Sequence, residues 1–208
     1  MSEVERSGGG AKRSGGGGAA RLLLLVPMVV EAAALRRIGP GAIVLRTGVG
    51  PARAAAAAVK ASRLTGAAVA VGGFCGALTD DLRAGDIVVA SEVRGLHGQG
   101  VRCSTEPLVT ALRERGLQRV FVGPVVSVAH VVRGAERAIL AAGGALAVDM
   151  ESAWLAPAAA GRPFAVLRVV LDTPAREVTR PLATLVAGVT AWRALRRAGP
   201  ALGAWAAA

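Results

Sequence analysis

Apolar runs of strand length recur along this chain, separated by turn signals and alanine-rich stretches of helical length. The runs Leu22–Val26, Ala42–Arg46, Ala67–Val71, Asp86–Glu92, Arg119–Val122, Ala145–Val148 and Ala165–Val170 predict strands. Their near-continuous apolar character suits strands covered on both faces. Helices are predicted over Pro51–Leu64, Thr105–Arg115, Ala135–Ala142, Glu151–Ala160 and Leu182–Arg197. The first of these opens with Pro51, a residue favoured at the first helical position. Strands alternating with helices predict an α/β fold, a three-layer αβα sandwich around a mixed, mostly parallel central sheet.

The pattern begins only after residue 20. Residues 1–20, MSEVERSGGGAKRSGGGGAA, are glycine- and serine-rich and are expected to form a disordered tail. Residues 21–208 are then expected to form one domain, a normal size for a single core. The apolar run Leu22–Val30 is about half the length a membrane-spanning helix needs. It is preceded by Glu3 and Glu5 and followed by no clear small-residue cleavage site, so it reads as the first buried strand rather than an export signal.

Ligands of parallel α/β sheets bind beyond the carboxyl ends of the strands. The segment Val148–Pro174, VDMESAWLAPAAAGRPFAVLRVVLDTP, sets two acids at such ends. Glu151 follows one short apolar run and Asp172 closes another, Phe164–Leu171, so both are expected to project into one crevice. Alone, this pair fits a glycosidase, a metal site or plain salt bridges. Glu31 follows the first strand closely, where a carboxylate can take a proton from water or hold a hydroxyl, or simply favour a helix dipole.

Thr47-Gly48-Val49-Gly50-Pro51 joins a strand to a helix, where glycines admit a ligand to the backbone and the helix start favours a polar group. Tight-turn glycines explain it equally well. It lacks the third glycine of a dinucleotide fingerprint and the Gly-Lys-Ser/Thr of a Walker loop. Gly72 to Leu78, GGFCGAL, reads as a glycine-rich loop able to pack its backbone on a ribose or base. Asp86 after Gly85 reads as a turn residue, and His130 as structural or solvated. No Gly-x-Ser-x-Gly elbow is present, and no His/Cys/Asp cluster has metal-ligand spacing.

Composition narrows the classes further. Aromatic residues make up 3% of the chain and tyrosine is absent, so a base-stacking platform for nucleic acid is hard to build. The net charge is +11, from 25 Lys and Arg against 14 Asp and Glu, and Lys12 and Lys60 are the only lysines. The arginines are scattered, which favours a solvated surface over a nucleic-acid interface; an anionic membrane or a phosphate-bearing substrate is the third option. Trp192 is expected to pack between helices and Trp205 to sit in a floppy terminus, with membrane contact as the alternative for both. Cys75 and Cys103 fit free thiols in a reducing cytoplasm.

In order, the chain shows Pro27-Met28-x-x-Glu31, Thr47-Gly48-Val49-Gly50, Gly73-x-x-Gly76-x-Leu78, Gly85-Asp86-Ile87-Val88-Val89, Met150-Glu151-Ser152-Ala153 and a strand ending at Asp172. This order resembles the purine nucleoside phosphorylase / methylthioadenosine nucleosidase superfamily over nearly all of Arg21 to Arg197. The segments GFCGAL, AHVVRGAER, AVDMESA and VLRVVLDTP look most like actinobacterial members associated with hopanoid biosynthesis. The resemblance implies cleavage of the N-ribosidic bond of a 5′-substituted adenine nucleoside, with adenosylhopane as the implied substrate and water or phosphate as nucleophile. Methylthioadenosine or S-adenosylhomocysteine is the alternative substrate, and a non-catalytic nucleoside- or lipid-binding protein the alternative class.

Carried over by position, the resemblance implies that Glu151 accepts the ribose hydroxyls beside Met150, that Asp172 serves the purine N7, and that Glu31 orients the water. Gly48, Val49 and Gly50 would line the ribose and 5′ side; Gly73 and Phe74 would belong to the nucleoside loop, and Val131 and Val132 would edge the base. It also implies no cofactor beyond phosphate as a co-substrate, no metal, and a homodimer or higher oligomer in the cytoplasm, with membrane contact if the substrate is lipid-linked. The chain departs from phosphorolytic relatives in lacking arginine and serine before Phe74, and Val131 stands where many relatives stack an aromatic.

Overall fold

The computed structural model describes residues 21–95, 100–175 and 181–208; the predicted tail over residues 1–20 lies outside them. The strands are β1 (Leu22–Val26), β2 (Ala42–Arg46), β3 (Ala68–Ala77), β4 (Ile87–Gly95), β5 (Val101–Arg102), β6 (Val120–Ser127), β7 (Ala147–Asp149) and β8 (Phe164–Asp172). The helices are α1 (Val29–Ala34), α2 (Pro51–Ala61), α3 (Glu106–Glu114), α4 (Ala135–Ala142), α5 (Ser152–Leu155) and α6 (Pro181–Trp205), with a 3-10 turn over Ala156–Ala159.

β1 shows why the sheet is sandwiched. Successive strand residues face opposite ways. Leu22, Leu24 and Val26 enter a core closed by α1, α3 and α6, whereas Leu23 and Leu25 enter a core closed by α2 and α5. Five apolar residues in a row therefore each find a buried partner. The predicted αβα sandwich is the observed fold.

The sheet is mixed, and part of it closes on itself. β2, β1 and β3 run parallel, and β3 continues into parallel β8. β8 then pairs antiparallel with β4, β4 parallel with β6, β6 parallel with β7, and β7 returns antiparallel to the far end of β3. The carboxyl-terminal ends of β3, β7 and β8 thereby converge.

Three elements extend past their predicted limits, each for a physical reason. Gly72 to Ala77 is strand rather than loop, because its glycines leave room for side chains to lie against the backbone. β6 runs through Gly123-Pro124, a pair that reads as a breaker. Proline has no ladder N–H, and here the β4–β6 register steps from Ala90↔Gly123 to Val93↔Val125 around it. α6 passes Pro200 and reaches Trp205, because Ala198, Ala201, Leu202 and Trp205 are all buried. The predicted helix Glu151–Ala160 is instead the short α5 followed by the 3-10 turn, with Pro157 inside that turn.

Trp205 is therefore core and not a floppy terminus. It is 5% exposed and its indole N–H donates to Ser104 Oγ at 3.2 Å. Trp205→Ala is expected to lower the free energy of unfolding by about 3–5 kcal/mol, measured by chemical denaturation. A change below about 0.5 kcal/mol would mark the terminus as unpacked.

Candidate active site

Arg168 sits in the middle of β8 and is fully buried. A lone guanidinium there is costly unless answered by charge. Asp149, at the end of β7, places Oδ2 2.8 Å from Arg168 Nη2, a charge contact outside hydrogen-bond alignment. Glu151 Oε2 lies 3.6 Å from the same nitrogen. Ser152 Oγ accepts from Nη2 at 2.9 Å, and the Phe74 carbonyl accepts from Nη1 at 3.3 Å. Burial pulls the Arg168 pKa down, but Asp149, Glu151 and Glu31 outweigh it and hold the group above its ordinary value.

Asp149 also shapes the backbone. Its Oδ1 accepts from Ser127 Oγ at 2.5 Å and from the N–H groups of Glu151 and Ser152 at 3.1 Å each. Ser127 Oγ in turn accepts the Ala153 N–H at 2.9 Å. This network caps α5 and sets the direction in which Glu151 leaves β7. Glu151 Oε1 then accepts the Gly50 N–H at 3.1 Å. Gly50 has φ +91°, a conformation that suits glycine. The turn before α2 thus gives its N–H to a carboxylate of the chain itself.

Glu31 is 1% exposed, in the first turn of α1. Its Oε2 accepts the Met28 N–H at 2.8 Å, an ordinary capping bond, and its Oε1 accepts the Phe74 N–H at 2.7 Å across 43 residues. Burial pushes its pKa up to about 7, against the lowering effects of Arg168 and the two N–H groups. Glu151 is likewise raised by burial, opposed by Arg168 and helped by Asp149.

Asp172 closes β8 and pairs with Arg137 of α4, Nη2 to Oδ2 at 2.5 Å; Arg137 is itself buried and donates to the Ala77 carbonyl. Two glycines of β3 make room for these groups. A Cβ at Gly73 would lie 2.5 Å from Glu31 Oε1 and 2.7 Å from Arg168 Nη1. A Cβ at Gly76 would lie 2.9 Å from Asp172 Oδ1 and 3.2 Å from Arg137 Nη1. The glycines of GGFCGAL are thus the floor on which the acids rest.

These groups meet in one cavity of about 320 Å³. Of the sequence-predicted residues, Glu31, Val49, Phe74, Val131, Val132, Met150, Glu151 and Asp172 line it. Gly48, Gly50 and Gly73 do not form its wall; Gly50 reaches the site through its N–H, and Gly73 lies behind Glu31. His130 is at the rim, exposed, with its ring Nε2 2.9 Å from Glu136. Asp86 accepts from Arg83 N–H and pairs with Arg119, a turn function away from the cavity.

Asp149, Arg137 and Arg168 are functional residues that the sequence reading missed. The available signal was Arg168 itself, a lone charge inside the apolar run Ala165–Val170, which demands buried counter-charges.

An αβα sandwich with carboxylates gathered where β3, β7 and β8 converge is the nucleoside phosphorylase/hydrolase-like fold. The chain belongs to the phosphorylase superfamily, whose sequence profile matches residues 32–198. The expectation of an enzyme of the nucleoside phosphorylase/nucleosidase kind stands with that membership. A structure from Borrelia burgdorferi B31, assigned to 5′-methylthioadenosine/S-adenosylhomocysteine nucleosidase and bound to adenine, is similar at TM-score 0.74 and 19% identity, covering 87% of this chain and 98% of that one. The Streptococcus pneumoniae nucleosidase of the same specificity, bound to a transition-state inhibitor, is similar at 0.69 and 18%, covering 89% and 97%. Futalosine hydrolase of Helicobacter pylori is similar at 0.69 and 19%, covering 88% and 96%. At these identities the likeness is one of fold. No curated protein sequence matches the chain.

Arg168→Met is expected to destabilise the protein by about 3–5 kcal/mol in chemical denaturation, because Asp149 and Glu151 lose their counter-charge in a buried site. Glu31 makes stability pH-dependent in a defined direction. Its pKa is about 7 folded against 4.5 in the unfolded chain, so between those values the native state holds a proton that the unfolded state has lost. Its stabilising contribution is complete below about pH 4.5 and lost as pH rises through about 7. Relative to wild type, Glu31→Gln should raise Tm at pH 8 and leave it nearly unchanged at pH 4.5, as read by thermal melts.

Proposed function

We propose that the protein cleaves the N-ribosidic bond of a 5′-substituted adenine nucleoside, with water as nucleophile, and releases adenine. The observation that carries this reading is the meeting of Glu31, Glu151 and Asp172 on the wall of one cavity, each held by a different part of the fold. Cleaving an N-ribosidic bond builds positive charge on the sugar and negative charge on the departing base. Glu151, with one oxygen on the Gly50 N–H, keeps lone pairs for ribose hydroxyls and puts its charge beside the developing cation.

Glu31, poised near neutrality, is matched to taking a proton from water. Its carboxylate also repels a phosphate, which favours hydrolysis over phosphorolysis. At the base end, Asp172 and Arg137 act as a pair: the carboxylate accepts or passes a proton, and the guanidinium offsets the charge appearing on the purine. The similar nucleosidase structures with adenine and with a transition-state inhibitor support the same ligand class.

The cavity volume is at the low end for ligand pockets, which run from about 300 to 1,000 Å³. It holds a nucleoside but not a large 5′ group as well. A triterpene such as that of adenosylhopane would extend past the mouth, where Val29 and Val30 are exposed beside Met28. Adenosylhopane is therefore the proposed substrate, and methylthioadenosine and S-adenosylhomocysteine, with smaller 5′ groups, are the second reading.

Chromatographic detection of free adenine tests both. Adenine should appear from at least one of these three nucleosides, at a rate unaffected by phosphate, and kcat/KM should rise with pH through about 7. Asp172→Asn should lower kcat by roughly 10²–10⁴-fold. Absence of adenine from all three nucleosides, with and without phosphate, would sink the proposal, and a strict phosphate requirement would replace water by phosphate.

A further inference from the structure

The outer faces of α1 and α6 carry a pattern that the cavity does not use. The two helices pack side by side in the same direction: the Trp192 indole N–H donates to the Val30 carbonyl, while Gly199 lies against Leu35 and Gly203 against Ile38. On both, the end near the cavity is apolar and the following turns are basic. Val29 and Val30 are 64% and 47% exposed, and Arg36 and Arg37, each seven residues further along, are exposed in turn. On α6, Leu185, Val186 and Val189 are 65%, 69% and 43% exposed, and Arg193, Arg196 and Arg197 follow. Leu185, Val189, Trp192 and Arg196 recur at three- and four-residue steps and so share one side of the helix.

Arg37, Arg193, Arg196, Arg197 and Pro200 enclose a groove of about 390 Å³. Among the described residues no acid pairs with any of these arginines. Residues 181–205 contain no Asp or Glu, and Glu31, the acid of α1, is turned into the cavity. Trp192 stands at the boundary between the two zones, with the Arg196 guanidinium 5.5 Å above its ring.

We propose that this face docks the protein on an anionic lipid surface. Val29, Val30, Leu185, Val186 and Val189 meet the acyl boundary, Trp192 lies at the interface, and the arginine groove takes headgroup phosphates. The distance from Leu185 to Arg196 along α6 is about 16 Å, enough to separate the two levels. Pro27 and Met28 line the cavity and lead directly into Val29 and Val30, so docking sets the cavity mouth against the lipid. A second copy fits this face poorly, since it brings the same unpaired arginines and no acid to answer them. The proposal is independent of the chemistry assigned to the cavity.

Co-sedimentation of the full chain with vesicles tests it. Binding is expected to mixed phosphatidylglycerol–phosphatidylcholine vesicles and not to phosphatidylcholine alone. Removing an arginine should weaken binding roughly fivefold, and R193Q/R196Q on the order of 25-fold. R63Q/R102Q removes the same charge from the end of α2 and from β5 and should leave binding unchanged. L185S/V186S should weaken binding while leaving the mass in solution unchanged by light scattering. Equal losses in the two arginine pairs would reduce the effect to net charge and overturn the proposal. So would absence of binding to anionic vesicles, or an L185S/V186S variant that alters oligomer mass and not vesicle binding.

Discussion

The ion cluster around Arg168 is the constraint on which the rest of the site depends. A guanidinium with no exposure in the middle of a sheet is tolerated only because Asp149 and Glu151 arrive from another strand end and Ser152 and the Phe74 carbonyl take its N–H groups. Buried ion pairs contribute little net stability when well made, and are costly when broken. What this one contributes is position. Asp149 caps α5 while paired to Arg168, so Glu151 leaves its strand in a single direction.

From that anchor the two buried glutamates acquire different tasks. Both have their pKa raised by burial and lowered by Arg168. Glu151 is bound to the Gly50 N–H from the turn opposite, which fixes it as a stationary acceptor. Glu31 is tied to Phe74 and Met28 and titrates near 7, which suits a group that exchanges protons. Gly73 and Gly76 complete the arrangement by bringing the β3 backbone within contact distance of Glu31, Arg168, Asp172 and Arg137. Side chains at these positions would push the acids out of the crevice.

Much of the architecture was legible in the pattern of apolar positions. β1 and β2 fall where their runs predict, and the helices α2, α3 and α4 lie within two or three residues of their predicted limits at each end. The misreadings share one cause. Gly72–Ala77, Gly123-Pro124 and Gly199-Pro200 carry local breaker signals that tertiary packing overrides, through close side-chain approach, a register step and a buried helix end respectively. At the site, the acids Glu31, Glu151 and Asp172 were visible because strand-end acids are few in this chain. Asp149 was hidden beside Glu151, and Arg137 inside an ordinary-looking helix.

The sequence by itself therefore determined the layers, the strand and helix types, and the carboxylates available at strand ends. Those follow from periodicity and spacing, which are properties of neighbouring residues. Tertiary structure alone decided the closing of β3, β8, β4, β6 and β7 into a ring, the pairing of Asp172 with Arg137 across 35 residues, and the proton affinity of Glu31. Each depends on which distant groups exclude water from one another. Desolvation and charge pairing act through space, and no run of residues along the chain records them.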